Sequence, residues 1–170
     1  LLRQRGLWQR MRAAPISRGE FVLARLISTA MISAFQVAVI YLVAIAVFGV
    51  RIQGSVPGFI FVAGAFCLLN AAFGLMLATL GRSAPATRGI AMMVMLLLVM
   101  VGGAWVPTFV FPQWMQSVAR ATPTYWAVNG LDAMSWRGLP FSESLLPAAV
   151  LCVSALLCVS VAIWRFRWEE

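Results

Sequence analysis

The sequence predicts an all-α polytopic membrane protein: a transmembrane helix bundle with a cytoplasmic amphipathic helix and two short outer-face helices. Three observations carry that class. Hydrophobic residues make up 62% of the 170 and charged residues 11%, with a mean hydropathy of +0.92, whereas soluble domains hold about 45–50% apolar and about 25% charged residues. The charges leave neutral stretches of 25 residues between Arg25 and Arg51, 30 between Arg51 and Arg82, 31 between Arg88 and Arg120, and 21 between Glu143 and Arg165. All 13 basic residues are arginine, and ten of them fall in segments 3–25, 82–88 and 165–167, against three (Arg51, Arg120 and Arg137) elsewhere. A soluble globule could not cover so much apolar surface, and the same composition excludes disorder.

Each neutral stretch exceeds the roughly 20 residues that cross a hydrocarbon core of about 30 Å, which places spans near 26–49, 58–81, 89–108 and 145–164. The arginine asymmetry sets both ends of the chain in the cytoplasm. In so apolar a chain the net charge of +8 reads as this orientation signal rather than as a nucleic-acid footprint.

The absences exclude function classes. With no Lys and no His, the chain has no Walker A loop, Schiff-base lysine or His-based acid/base pair. Cys67, Cys152 and Cys158 lie in apolar runs without metal-ligand spacing and read as small hydrophobes. No catalytic residue, metal site or bound cofactor is expected. A membrane enzyme lacks its reactive groups, and an ion-coupled transporter lacks the mid-membrane ionisable residue such proteins use.

From the N-terminus, residues 1–14 read as a short helix stopped before Pro15. Leu7, Trp8, Met11 and Ala14 share one arc, flanked by Arg3 and Arg10 on one side and Arg5 and Arg12 on the other, the pattern of a helix lying in a plane. It suits either an anionic lipid surface or a partner protein. Ser17 to Glu20 form a capping box, so a second helix should start at Arg18 and run into the first span. The chain starts at Leu1 with this basic segment, which we read as an N-terminally truncated subunit without a signal peptide, forming one membrane domain over 1–170.

Gln36 in the first span and Asn70 in the second are amides that need a partner in hydrocarbon. Interhelical bonding is the first reading of each and contact with a transported substrate the second. Ala71, Gly74, Ala78 and Gly81 form a small-residue stripe, expected to be a packing face. Residues 81–88 read as a cytoplasmic turn with a breaking proline, Pro85. Met92, Met93, Met95 and Met100 give the third span an adaptable surface, suited to lipid or core packing and alternatively to a sliding contact or an apolar substrate.

Segment 109–144 holds Arg120, Asp132, Arg137 and Glu143, which forbid another full span. Pro112 and Pro123 bracket a helix near 112–121, and a second follows near 124–136. Trp114, Trp126 and their aromatic neighbours favour the interface, so both helices are expected at, or dipping into, the outer leaflet.

Arg5-Gly6-Leu7-Trp8, then Arg12-Ala13-Ala14-Pro15-Ile16-Ser17-Arg18 and the run from Phe21 to Leu26, resemble the segment before the third span in permease subunits of type 2 ABC exporters. Gly102-Gly103 with Pro107, Phe111-Pro112 with Trp114 and Gln116, and Pro123-Thr124-Tyr125-Trp126 resemble the region between the fifth and sixth spans of the same family. The resemblance implies the last four of six spans. Residues 1–20 would be the coupling segment, with Arg5, Gly6, Arg12, Pro15, Ser17 and Glu20 meeting a cytoplasmic ABC ATPase subunit. Pro107, Pro112, Trp114, Pro123 and Trp126 would form an outer-face motif. It further implies a bacterial inner-membrane exporter with a second permease subunit, identical or not, and ATP and Mg on the ATPase rather than on this chain. The rival reading is a non-transport membrane scaffold or sensor whose basic helix binds lipid.

Overall fold

A computed structural model describes residues 18–80 and 83–165, and every described element is helical. The helices are α1 (Arg18–Phe48), α2 (Val56–Leu80), α3 (Ala84–Val101), the 3₁₀ turn η1 (Thr108–Val110), α4 (Gln113–Arg120), α5 (Pro123–Ser135) and α6 (Ser142–Arg165). Among them α1 (from Val22), α2 and α6 are long and apolar enough to cross a membrane.

Helix α1 begins at Arg18, the first position after the expected cap Ser17, which lies outside the described residues together with the rest of segment 1–17. Its 31 residues contain no proline, so the backbone ladder runs uninterrupted for about 46 Å. It packs chiefly on α2, with Val22, Leu26 and Ser33 buried, while very little of its span is covered.

The core is a seam between α2 and α6. Both helices start at the same end of the bundle, where Gly58 faces Ser144, so they run parallel. Buried positions repeat at spacings of four and three: Gly58, Val62, Ala65, Leu69 and Ala72 on α2, and Ser144, Ala148, Leu151 and Ala155 on α6. A repeat of 3.5 keeps one face of each helix on its partner, and the small side chains let the backbones approach. The predicted stripe lies elsewhere. Ala71 is buried, but Gly74 and Ala78 are exposed, and a Cβ at Gly74 would meet nothing within 4 Å. The seam is carried by the heptad face instead.

Helix α3 departs from the expected 89–108 at both ends. It starts earlier because Pro85 stands in its first turn rather than breaking a loop, with Ser83 Oγ accepting from the Ala86 N–H as N-cap; a first-turn proline loses no helical hydrogen bond. It stops at Val101 because Gly103 takes φ +87° and a side chain there would strike Thr108 Cγ2 at 2.5 Å. The remaining 18 residues measure about 27 Å, at the short end for a crossing. Met92, Met93, Met95 and Met100 are all exposed, and α3 touches the rest lightly.

The two short helices divide their roles. Helix α4 lies beside the end of α3. Helix α5 packs against α2 and α6, burying Ala127, Gly130, Ala133 and Met134 while its other residues stay partly exposed. At Gly130 an added Cβ would stand 2.8 Å from Pro147 Cβ and 2.9 Å from Val62 Cγ1, so glycine lets three helices meet. Pro123 opens α5 rather than merely ending α4, because Thr122 caps the new helix through its accepted bond from the Tyr125 N–H.

Candidate functional site

The residues singled out by the sequence fall in three places. Arg5, Gly6, Arg12, Pro15 and Ser17 lie outside the described residues. Glu20 is in the first turn of α1, where a carboxylate complements the positive end of the helix dipole.

The two membrane amides have different surroundings. Asn70 Nδ2 donates to Ser33 Oγ at 3.0 Å, tying α2 to α1. Ser33 is buried and was missed by sequence reasoning; a serine hydroxyl in a span can bond to the preceding turn of its own helix and so carries no partner information by itself. Gln36 has no hydrogen-bond partner among the described residues and is exposed. Three residues beyond Ser33, it stands about 60° around α1 from that side chain.

Pro107, Pro112, Trp114, Pro123 and Trp126 gather at one end of the bundle, which they cap. Pro112 is the N-cap residue of α4, and Gln116 Nε2 donates to the Phe111 carbonyl at 2.9 Å to hold that turn. Trp126 Nε1 donates to the Arg120 carbonyl at 2.9 Å, and Thr122 Oγ1 donates to the Ala119 carbonyl at 2.7 Å, so the end of α4 is satisfied from α5. Trp114, by contrast, projects outward.

Segment 49–55 completes the cap. The Gly54 N–H donates to the Met134 carbonyl at 2.9 Å and the Ser55 N–H to the Leu139 carbonyl at 3.3 Å, while Tyr41 of α1 meets Phe59 of α2 edge to face at 4.5 Å. Asp132 and Arg137 pair at 3.1 Å, both half exposed. The three cysteines are free. No group of three or more His, Cys, Asp and Glu able to hold a metal occurs among the described residues. What the described residues arrange is a closely packed seam, a long connecting helix and a lightly held one.

These features define a multi-pass, all-α membrane protein. The chain belongs to the ABC-2 type transporter family, whose sequence model matches residues 1–135, and it represents that family's membrane-spanning permease component. It is 26% identical over 165 residues to the linearmycin resistance permease protein LnrN of Bacillus subtilis, covering 97% of this chain and 43% of that protein. It is 25% identical over 166 residues to the inner membrane transport permease YhhJ of Escherichia coli, covering 97% of this chain and 44% of the relative. The chain thus spans less than half the length of the curated relatives it matches. No solved structure matches it at a significant level.

Proposed function

We infer that this chain supplies the membrane pathway of an ATP-driven exporter, with ATP and Mg bound by a separate cytoplasmic ABC ATPase subunit and a second permease subunit completing the channel. The observation that carries the reading is the family match over residues 1–135, which includes the basic segment as well as the helices. Residues 1–20 then dock on the ATPase, both ends of the chain face the cytoplasm of the cell that holds it in its inner membrane, and the capped end faces outward. The arginine distribution supports this orientation, and the names of the relatives, a resistance permease and an inner membrane transport permease, support export and location.

The geometry suits such a transmission. A movement of the ATPase applied to Arg5, Arg12 and Glu20 enters α1 at its first turn. The helix has no proline to absorb the displacement. The α2–α6 seam, closely packed by small residues, forms the fixed body against which α1 and the lightly held α3 shift.

Charge-reversal variants of Arg5 and Arg12 and Glu20→Lys, expressed with the ATPase at matched membrane levels, test the docking. The expected result is loss of ATPase co-purification. Wild-type retention of the ATPase by all three variants overturns the assignment of residues 1–20. Substrate efflux dependent on the co-expressed ATPase separates a transporter from a scaffold.

A further inference from the structure

Helix α1 is fixed at its capped end and little covered along the rest of its span. It stops at Gly49, which takes φ +64°; the Gly49 N–H donates to the Ile45 carbonyl and the Val50 N–H to the Ala44 carbonyl, each at 3.2 Å, as at many glycine helix ends. The chain is then stitched to the end of α5 by its backbone. The Gln53 N–H donates to the Ser135 carbonyl at 3.4 Å and the Gly54 N–H to the Met134 carbonyl at 2.9 Å. The movement left to α1 is a tilt about Gly49.

Two side-chain bonds resist that tilt. One is the Asn70–Ser33 bond to α2. The other reaches α5, although no Cα of α1 comes within 8 Å of one in α5. Tyr41 bridges the gap: its ring lies edge to face on Phe59, and its hydroxyl has the Ser135 side chain as hydrogen-bond partner, with the Asp132 carboxylate near by. Ser135 Oγ gives its own proton to the Leu131 carbonyl at 2.7 Å, which leaves its lone pairs free to accept from the Tyr41 O–H. Asp132 is engaged by Arg137 at 3.1 Å.

Tyr41 lies about 12 Å along the helix from Gly49, and Arg18 about 46 Å. A tilt that moves Arg18 by about 4 Å therefore moves Tyr41 by about 1 Å. That is enough to carry an O–H···O bond of about 2.7 Å beyond the range in which it holds. A small displacement at the far end of α1 is thus converted into a made or broken bond at the capped end.

We propose that the Tyr41 hydroxyl and the Ser135 side chain form a latch that holds α1 to the capped end and opens when α1 is tilted from its first turn. The role rests on the exporter reading, in which the ATPase imposes that tilt. Tyr41 is then a positioning residue: it sets the orientation of α1 from which each cycle starts.

The test uses the intact subunit in nanodiscs, with Cys67, Cys152 and Cys158 replaced by Ala and Val22→Cys added. Val22 is buried one turn into α1, so a charged methanethiosulfonate reaches the new thiol only when α1 tilts away, and the rate follows the tilted population. Tyr41→Phe keeps the ring on Phe59 and removes the hydroxyl alone. It should accelerate modification about threefold, the equivalent of one interhelical bond in a membrane. Ser135→Ala should do the same, and the double variant no more than either. A second reporter, Ala148→Cys, in the buried face of the α2–α6 seam, should keep its rate throughout. Unchanged Val22→Cys rates in both single variants overturn the latch. Effects that multiply in the double variant overturn it in favour of two separate packing roles, and acceleration at both reporters overturns it in favour of general loosening. Neither ATPase nor substrate is present, so failure of the latch is distinct from failure of the exporter reading, which ATPase-dependent efflux decides.

Discussion

Asn70 and Ser33 are joined across two membrane helices by a 3.0 Å bond from the amide to the hydroxyl oxygen. In hydrocarbon neither group has water as an alternative, yet measured interhelical bonds of this kind average about 0.6 kcal/mol and reach about 1.7. Asn70→Ala should therefore destabilise the protein by about 1 kcal/mol. A double-mutant cycle with Ser33→Ala in mixed-micelle denaturation should return a coupling energy of similar size, and additive effects would show that the two side chains act independently.

Gly130 and Gly74 should respond oppositely to alanine. At Gly130 the new Cβ would collide with Pro147 and Val62, neither of which has a flexible end to move, and overpacking costs about 1–3 kcal/mol. The gain in helix propensity, about 1 kcal/mol, offsets part of this. At Gly74 nothing stands within 4 Å, so the propensity gain is uncontested. Thermal unfolding in one detergent should show Gly130→Ala lowering Tm and Gly74→Ala holding or raising it.

Met134 is completely buried, and its Sδ fills the space opposite Gly58. Removing it leaves a cavity where α2, α5 and α6 converge. The expected loss for Met134→Ala is about 2–5 kcal/mol, read as a lower denaturation midpoint, with Met134→Leu recovering most of it.

Asp132 and Arg137 make a contrasting case. Their side chains pair at 3.1 Å while about half exposed, and exposed pairs are worth about 0–1 kcal/mol. Asp132→Asn should shift stability by less than Met134→Ala at low salt, and by still less at high salt.

The long helices are legible in the sequence because charge exclusion acts over whole spans: α2 lies inside a neutral stretch, and the apolar parts of α1 and α6 fill two others, their charges confined to the ends of the helices. The end of α3 was not legible from charge, since Gly102 and Gly103 stop the helix inside a neutral run. The burial of α5 was obscured for a different reason. Ala127, Gly130 and Ala133 are weakly apolar, so by composition that face suits an interface as well as a packed seam, and contact with Val62 and Pro147 appears only in three dimensions. The heptad on α2 was readable as spacing but was masked by the more conspicuous stripe of Ala71, Gly74 and Ala78. Of the candidate functional residues, Asn70 was found from the cost of an unpartnered amide; Ser33 carried no such signal.

The parallel pairing of α2 with α6 has a consequence for biogenesis. Two neighbours that point the same way need a return passage between them, and here it is provided by α3, α4 and α5. As ribosomes deliver the polypeptide, α2 enters the bilayer long before its principal mate has been synthesised. Its glycine and alanine face must wait among lipids until α6 arrives. Consolidation of this seam is thus deferred until α6 has been synthesised, and loss of α6 would leave the inserted helices without their central joint.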